Sequence, residues 1–458
     1  MSSTATPWSG RHLHFIGIGG AGMSGLAVIA AELGAVVSGS DAADSPYLAN
    51  VRAAGVDPII GPHALSTLPD GKGFEIVVSS AIAQDNPERL GASQRGVIEH
   101  HRSEILGELS ALKRCIAITG THGKTTTTAM TVCALRAAGM DPAYVAGAIL
   151  AETGTNAAWG SGEWIVIEAD ESDRSLLNLH PEIAVLTNLE LDHHSTYQSL
   201  QDLEETIRRF LAMAPQAVIC DEPRLLALRD GPAQAYGIAD ADVEMDGSGS
   251  RFSFDSIAVS LPVPGIHNAL NATGALTAAR LAGANLKAAA LGMAEFAGTG
   301  RRFERVGVTA AGAVVYDDYA HHPTEVAATL QAARTFAPKR LVAVFQPHLY
   351  SRTAALYREF GEALALADTV VVVDVYRARE DPAEYPGVSG LLIASAAADA
   401  GQGRQVAWMP GFEQAERFLR ATLREGDLML ALGAGNIDSL ARLLVVAPDP
   451  DDVAARAG

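Results

Sequence analysis

Lysine is nearly missing from this chain. Only Lys72, Lys113, Lys124, Lys287 and Lys339 stand among 458 residues. Arginine carries most of the positive charge, and even so 34 basic residues face 53 acidic ones, a formal net charge of −19. A surface of that sign repels nucleic-acid phosphate, which argues against a nucleic-acid partner. Any phosphate site must then be local, made of backbone amides, helix ends, a metal ion and a few placed cations. Cysteine is scarce as well. Cys115, Cys133 and Cys220 are odd in number and widely spaced, so neither a disulfide framework nor a zinc pattern is present, and a reducing cytoplasm fits. The opening MSSTATPWSGRH lacks the basic and apolar segments of a signal peptide. No apolar run reaches the length of a membrane span. A cytoplasmic protein without a membrane partner is the expectation.

What is present is an ordinary globular balance, 48% hydrophobic and 19% charged. A chain of this length exceeds one core, so two or three domains are expected. Residues 11–108 alternate short apolar runs, at His12–Ile18, Gly34–Gly39, Ile59–Gly61 and Glu75–Ser80, with helix-like stretches. That alternation predicts a parallel sheet. A second block opens at Arg114 with a strand and a helix over Thr125–Ala138, then strands at Trp164–Glu168, Ile183–Thr187 and Ala217–Cys220. Arg251–Leu261 alternates apolar and polar residues and predicts one half-exposed antiparallel strand. A helix is expected from near Asn268. Gly298-Thr-Gly-Arg-Arg reads as a hinge into a third block, with strands at Gly312–Asp317, Arg340–Phe345, Thr369–Asp374 and Leu428–Leu432. The run Val370–Val373 suits a strand buried on both faces.

Two glycine loops follow predicted strands. The first is Gly17-Ile-Gly19-Gly20-Ala-Gly22, which allows a tight strand-to-helix turn and close approach of a diphosphate to the helix N-terminus. Ser40-Asp41 stands where a ribose-binding acid is expected. A nicotinamide-dependent dehydrogenase would use the same loop, so the loop points to a diphosphate and not to one ligand. The second is Thr119-Gly120-Thr121-His122-Gly123-Lys124-Thr125. A strict P-loop would carry glycine where Thr119 stands, yet the mechanism survives. Amides cradle phosphate, Lys124 reaches the β and γ oxygens, and the Thr125 hydroxyl can meet Mg²⁺.

Acidic and histidine clusters end other strands. Glu168-Ala-Asp170-Glu171-Ser172-Asp173 stands where a P-loop protein places a metal ligand, and Asp192-His193-His194 could complete the metal site or cap a helix. In the third block, Asp317-Asp318-Tyr319-Ala320-His321-His322, Gln346-Pro-His348-Leu-Tyr-Ser-Arg352 and Asp374-Val-Tyr376-Arg-Ala-Arg379 each close a predicted strand. Such clusters at successive strand ends mark a functional rim on an α/β sheet.

The pieces HFIGIGGAGMSGLA, GTHGKTTTT, EADESD, TNLELDHH, HNALNA, GTGRRFE, DDYAHHPTEV and QPHLYSRT, in this order, resemble the Mur ligases, ATP-dependent amino-acid ligases of peptidoglycan precursor synthesis. The likeness spans roughly Arg11 to Leu444 and explains the variant P-loop. It implies an α/β protein of three domains. Residues 1–108 would be a Rossmann-like UDP-sugar domain, 109–299 a P-loop ATPase-type mixed sheet, and 300–458 a Rossmann-like lid that brings the amino acid. Carried across, Gly17, Gly19, Gly20, Gly22, Ser40 and Asp41 would serve the UDP-sugar, with Tyr319, His321 and Arg352 near its acyl end. Gly120, Thr121, His122, Gly123, Lys124, Thr125 and Thr126 would hold ATP phosphate, with Asn268 and Asn271 by its adenine and ribose. Thr125, Glu168 and His193 would hold Mg²⁺, and Arg302 would reach the γ-phosphate. Lys124, Glu168, His193, Arg302 and Asp318 would form the catalytic set, His193 as a metal ligand and not a general base.

Two departures bear on the branch. Sister ligases use a carbamylated lysine between metals, but no lysine lies between Lys124 and Lys287. This fits the branch that adds L-alanine to UDP-N-acetylmuramate. Leu349 stands where relatives of the family often carry a basic residue, which argues against a second arginine beside Arg352. The rival within the family joins UDP-N-acetylmuramate to a preformed tripeptide. A dehydrogenase leaves Lys124 unexplained, and an ATP-switched sensor needs no acyl-activation site. A small pocket discriminates poorly among alanine, serine and glycine, and nothing in the residues selects between monomer and dimer.

Overall fold

The computed structural model describes residues 6–192, 196–247, 249–378 and 380–446. Its first sheet contains β1 (His12–Ile16), β2 (Val36–Asp41), β3 (Ile59–Ile60), β4 (Glu75–Val78) and β5 (Ile98–His101). The order is β3-β2-β1-β4-β5, all parallel. Strand order reverses between β1 and β4. The loop after β1, Gly17–Gly22, therefore opens at the crevice where ligands of doubly wound sheets sit.

The second sheet contains β6 (Arg114–Thr119), β7 (Ala143–Leu150), β8 (Thr155–Ala158), β9 (Trp164–Glu168), β10 (Ile183–Leu186), β11 (Gln216–Cys220) and β12 (Gln234–Tyr236). The order is β12-β11-β10-β6-β9-β7-β8, parallel except for the β7–β8 pair. The short strands β13 (Glu244–Asp246), β14 (Gly249–Phe254) and β15 (Ile257–Leu261) form a small sheet. The last sheet contains β16 (Glu304–Val308), β17 (Val314–Asp318), β18 (Arg340–Phe345), β19 (Thr369–Val372), β20 (Gln405–Trp408) and β21 (Asp427–Leu432). Its order is β16-β17-β21-β18-β19-β20, with only β16 antiparallel to its neighbour. Val370, Val371, Val372 and Val373 are sealed on both faces, as the run of β-branched residues requires.

The chain forms two compact units. The first holds the five- and seven-stranded sheets, and their interiors are one apolar core. Phe15, Leu26 and Ile105 from the first sheet and its helices join Ile165, Leu186 and Phe210 from the second. The helix Ala21–Glu32 lies directly on β8. A Cβ at Gly25 would stand 3.0 Å from Ala157, and the buried Asn156 amide donates to Ala21 O at 2.6 Å. The expected boundary at 108/109 falls inside the helix Arg102–Leu112. The second unit contains the last sheet, filled by Phe345, Phe360, Leu364, Leu430 and Leu432 on one face and by Val344, Met429, Ile437 and Leu440 on the other.

The single strand expected over Arg251–Leu261 is two strands, β14 and β15. They are joined by Asp255 and Ser256 at φ +47° and +65°, the conformation a two-residue hairpin turn demands. The apolar positions pass from Phe252 and Phe254 to Ile257, Val259 and Leu261, so the period-two pattern shifts by one residue across the polar pair that makes the turn. No helix among the described residues is long and apolar enough to cross a membrane.

Candidate active site

Parallel pairing brings the ends of β6, β9 and β10 to one edge. Ile118 lies beside Glu168 and Thr119 beside Leu186. The second glycine loop leaves β6 at that edge and enters the helix Lys124–Ala137. Residues after β10 hold it in place. His122 N–H donates to Asn188 Oδ1 at 2.8 Å, and the Thr187 hydroxyl donates to His122 O at 2.7 Å. Thr121 exchanges hydrogen bonds with the Glu190 backbone. Gly120 at φ +137° and Gly123 at φ +79° admit no side chain. Added Cβ atoms would stand 2.0 Å from Thr187 Oγ1 and 2.6 Å from Asn271 Oδ1. Gly123 caps its helix with no side chain, so the amides of the first turn face an anion by default. Thr126 is half-buried on that turn.

Lys124 Nζ donates to Gly120 O at 2.6 Å, Thr121 O at 3.1 Å and Glu171 Oε1 at 2.9 Å. Burial pulls this ammonium down, but Glu171, Asp170 and Glu168 outweigh it and hold it above the usual lysine value. Thr125 Oγ1 donates to Glu168 Oε1 at 3.0 Å, and Glu168 Oε2 accepts Gly147 N–H at 2.7 Å. A Cβ at Gly147 would fall 2.7 Å from that carboxylate, so the glycine is what lets Glu168 turn inward. Two hard oxygens thus meet beside the loop, a donor set suited to a divalent cation of the Mg²⁺ class. The third expected ligand, His193, lies outside the described residues. Asp170 is pushed up by burial, yet Arg102 and Lys124 bring it down to about 2.

The first loop is tied differently. Gly17 and Ile18 N–H groups donate to Ser40 O, Gly19 N–H donates to Asp41 Oδ2 at 2.8 Å, and Ser45 Oγ donates to Gly19 O. Gly20 caps the helix Ala21–Glu32 without a side-chain bond, and Gly22 lies in its first turn. The Ser40 hydroxyl turns inward to the buried Glu88 carboxylate at 2.8 Å, which His14 and His63 also contact. Ser40 therefore serves the loop through its main chain.

In the helix Ile266–Leu281, Asn268 returns its amide to Pro264 O at 2.7 Å, whereas Asn271 stands against Gly123. Arg302, Asp318, Tyr319, His321 and Arg352 form a group at the C-terminal edge of the last sheet. Arg302 lies 5.0 Å from the Tyr319 ring centre, and the Tyr319, His321 and His348 rings follow edge to face. Arg352 is buried, with Nη1 3.2 Å from His348 Nδ1. Asp318 accepts the Phe303 and Ala320 N–H groups at 2.7 and 2.8 Å, an anchor for the backbone on either side of it. Burial pushes its carboxyl up, against Arg302. Burial likewise raises Asp317 to about 6, although Arg301 donates to it at 3.0 Å.

Sequence reasoning missed Glu171 as the partner of Lys124, Arg102 as the partner of Asp170, Asn188 as the clamp on His122, and Arg301. Apart from Arg102, each lies inside a motif that marks the site. The spacing does not say which member does the holding.

Three protein-family models match the chain: Mur ligase family, catalytic domain, over residues 12–114; Mur ligase middle domain over 118–279; and Mur ligase, glutamate ligase domain, over 301–435. The chain is 44% identical over 440 residues to a UDP-N-acetylmuramate–L-alanine ligase of Rubrobacter xylanophilus, covering 93% of this chain and 97% of that one. A ligase of the same name from Mycolicibacterium smegmatis is 42% identical over 468 residues, 96% and 95% of the two chains. Among solved structures, the UDP-N-acetylmuramate-alanine ligase of Thermotoga maritima superposes with a TM-score of 0.80 at 28% identity, over 98% of this chain and all of that one. A murein peptide ligase from Psychrobacter arcticus gives 0.71 at 25% identity, over 96% and 100%. The sheets, the loops and these likenesses agree on one assignment: the chain belongs to the Mur ligase family.

Proposed function

We propose that this chain joins L-alanine to the lactyl carboxylate of UDP-N-acetylmuramate with cleavage of ATP to ADP and phosphate. The observation that carries this is the 44% identity, across 93% of the chain, to a relative of that activity. In this reading residues 1–108 hold the UDP-sugar, 109–299 hold ATP, and 300–458 bring the amino acid.

A carboxylate does not condense with an amine at neutral pH, because its oxygen is a poor leaving group. Transfer of the γ-phosphoryl group to the lactyl carboxylate makes an acyl phosphate and releases ADP. The alanine amine attacks the acyl carbon, a tetrahedral intermediate forms, and phosphate departs as the amide closes. The task of the protein is to place three anionic partners together. Gly120–Thr126 present their amides to the ATP phosphates, and Lys124, already at the mouth of the loop, moves from the loop carbonyls to a phosphate oxygen. Asn268 and Asn271 serve the nucleoside side. A divalent cation, Mg²⁺ in this reading, would be held by Thr125, Glu168 and His193 and would neutralise phosphate charge when bound. Arg302 meets the γ-phosphate, and Asp318 holds the backbone around it. Gly17–Gly22 and Asp41 serve the UDP diphosphate and ribose, Ser40 supports that loop, and Tyr319, His321 and Arg352 line the acyl end.

Phosphate release from ATP and Mg²⁺ tests the reading when the acceptor and the amino acid are varied. Release that requires both UDP-N-acetylmuramate and L-alanine, with a product heavier by one alanyl unit, is expected. Release only with a preformed tripeptide would transfer the chain to the recycling reaction.

A further inference from the structure

Arg102 is the first residue of the helix Arg102–Leu112, which follows the last strand of the first sheet. Its side chain leaves that sheet. Nη2 donates to Asp170 Oδ2 at 3.0 Å and Asp173 Oδ2 at 3.3 Å, both on the acidic loop after β9. Nη1 faces the other way, and a Cβ at Gly22 would stand 3.4 Å from it. One guanidinium thus pairs with the acidic loop of the second sheet and stands close beside the first turn of the diphosphate-loop helix. A guanidinium can do this because it is planar with donors on both edges, and a lysine ammonium cannot. The next residue of the acidic loop, Glu171, is the ion-pair partner of Lys124 at 2.9 Å. A continuous path therefore runs from Gly22 through Arg102 and Asp170-Glu171 to Lys124, joining the two glycine loops.

A purely structural staple explains this poorly. The helix Ala21–Glu32 is already fixed to β8 by Asn156, which donates to both Ala21 O and Ser24 Oγ, and by the contact of Gly25 with Ala157. The Arg102 side chain keeps 18% exposure, and its Nη1 stands beside the first turn of that helix. In a chain of net charge −19, a diphosphate needs a placed cation, and Arg102 stands at the helix end where one is wanted.

We infer that Arg102 binds the diphosphate arm of the sugar nucleotide and couples its site to the ATP site through Asp170. This rests on the first glycine loop being the sugar-nucleotide site. The test uses the full-length protein. UDP-N-acetylmuramate affinity is measured by calorimetry with and without Mg²⁺ and a non-hydrolysable ATP analogue, and KM for each substrate is measured separately. Loss of one charged hydrogen-bonding group predicts that Arg102→Ala raises the UDP-sugar Kd and KM about tenfold or more. Affinity for the ATP analogue measured without UDP-sugar should stay within about threefold, and the factor by which each ligand changes the affinity for the other should fall toward one. Arg102→Lys should recover part of the affinity and not the coupling. The inference is overturned by a UDP-sugar affinity unmoved in Arg102→Ala, by a coupling factor that survives it, or by a wild type indifferent to the analogue. Full rescue by lysine after a general loss would also overturn it and mark a staple. Gly19→Ala separates the two levels. If it leaves UDP-sugar affinity intact, the reading of the loop fails. If it weakens affinity while Arg102→Ala does not, only the inference fails.

Discussion

At the first glycine loop a carboxylate holds the backbone, Asp41 accepting the Gly19 amide. At the second an ammonium does, Lys124 donating to the Gly120 and Thr121 carbonyls. Both loops leave a parallel strand, turn on glycine and enter a helix whose N-cap has no side-chain bond. They differ in where compensating charge comes from. The second loop carries its own cation, Lys124, five residues after Thr119, and Glu171, 1% exposed, balances that cation. The first loop carries none, and the cation beside it, Arg102, arrives from a different helix. Under the proposed function the first loop only holds a diphosphate and can borrow its charge, whereas the second, which presents a phosphoryl group for transfer, has a cation placed at its own mouth.

The comparison can be broken most decisively at Lys124. Lys124→Ala should lower turnover on the order of 10³-fold, while calorimetry finds UDP-sugar affinity unchanged. Loss of both would show that the loops do not act as separate sites. A smaller effect distinguishes the glycines. Gly123→Ala places a Cβ 2.6 Å from Asn271 Oδ1 at φ +79°, and steady-state kinetics should show kcat over the ATP KM down about 100-fold, with the UDP-sugar KM within about twofold. Gly19→Ala meets the Asp41 carboxylate at 2.9 Å, a side chain that can turn aside, and should raise only the UDP-sugar KM, about tenfold. The smallest effects concern stability. Glu171→Gln leaves the Lys124 ammonium without its buried counter-charge, and urea unfolding should register a loss of about 2–3 kcal/mol. Asp41→Asn keeps an acceptor for Gly19 at a half-buried position and should cost under about 1 kcal/mol. Equal losses would remove the distinction between a loop balanced by charge and one held by a hydrogen bond.

Several elements were legible because their cause is local. Trp164–Glu168 and Arg340–Phe345 occur at the expected residues, since β-branched runs bounded by polar clusters have few other conformations open to them. The strand β7, AYVAGAIL, was not legible. Its small residues carry little strand preference, and its place depends on Gly147 making room for Glu168. The hairpin at Asp255-Ser256 was missed although that polar pair shifts the period-two pattern by one residue, because the pair lacks the glycine that usually marks a two-residue turn. At the site, the spacing around Gly120–Thr125 announced phosphate chemistry. The inward turn of Ser40 toward Glu88 had no signal, since its partner is 48 residues away.

By itself, the sequence determined the parts whose physics is confined to a few consecutive residues: the glycine turns, the lysine and threonine that follow the second, and the polar clusters that end strands. Tertiary structure alone decided which of those parts meet. Lys124 finds Glu171 across 47 residues and Arg102 finds Asp170 across 68. The order β10-β6-β9 and the packing of the helix Ala21–Glu32 on β8 set those encounters. Both follow from burying apolar faces over the whole first unit, a sum that no local stretch of chain contains.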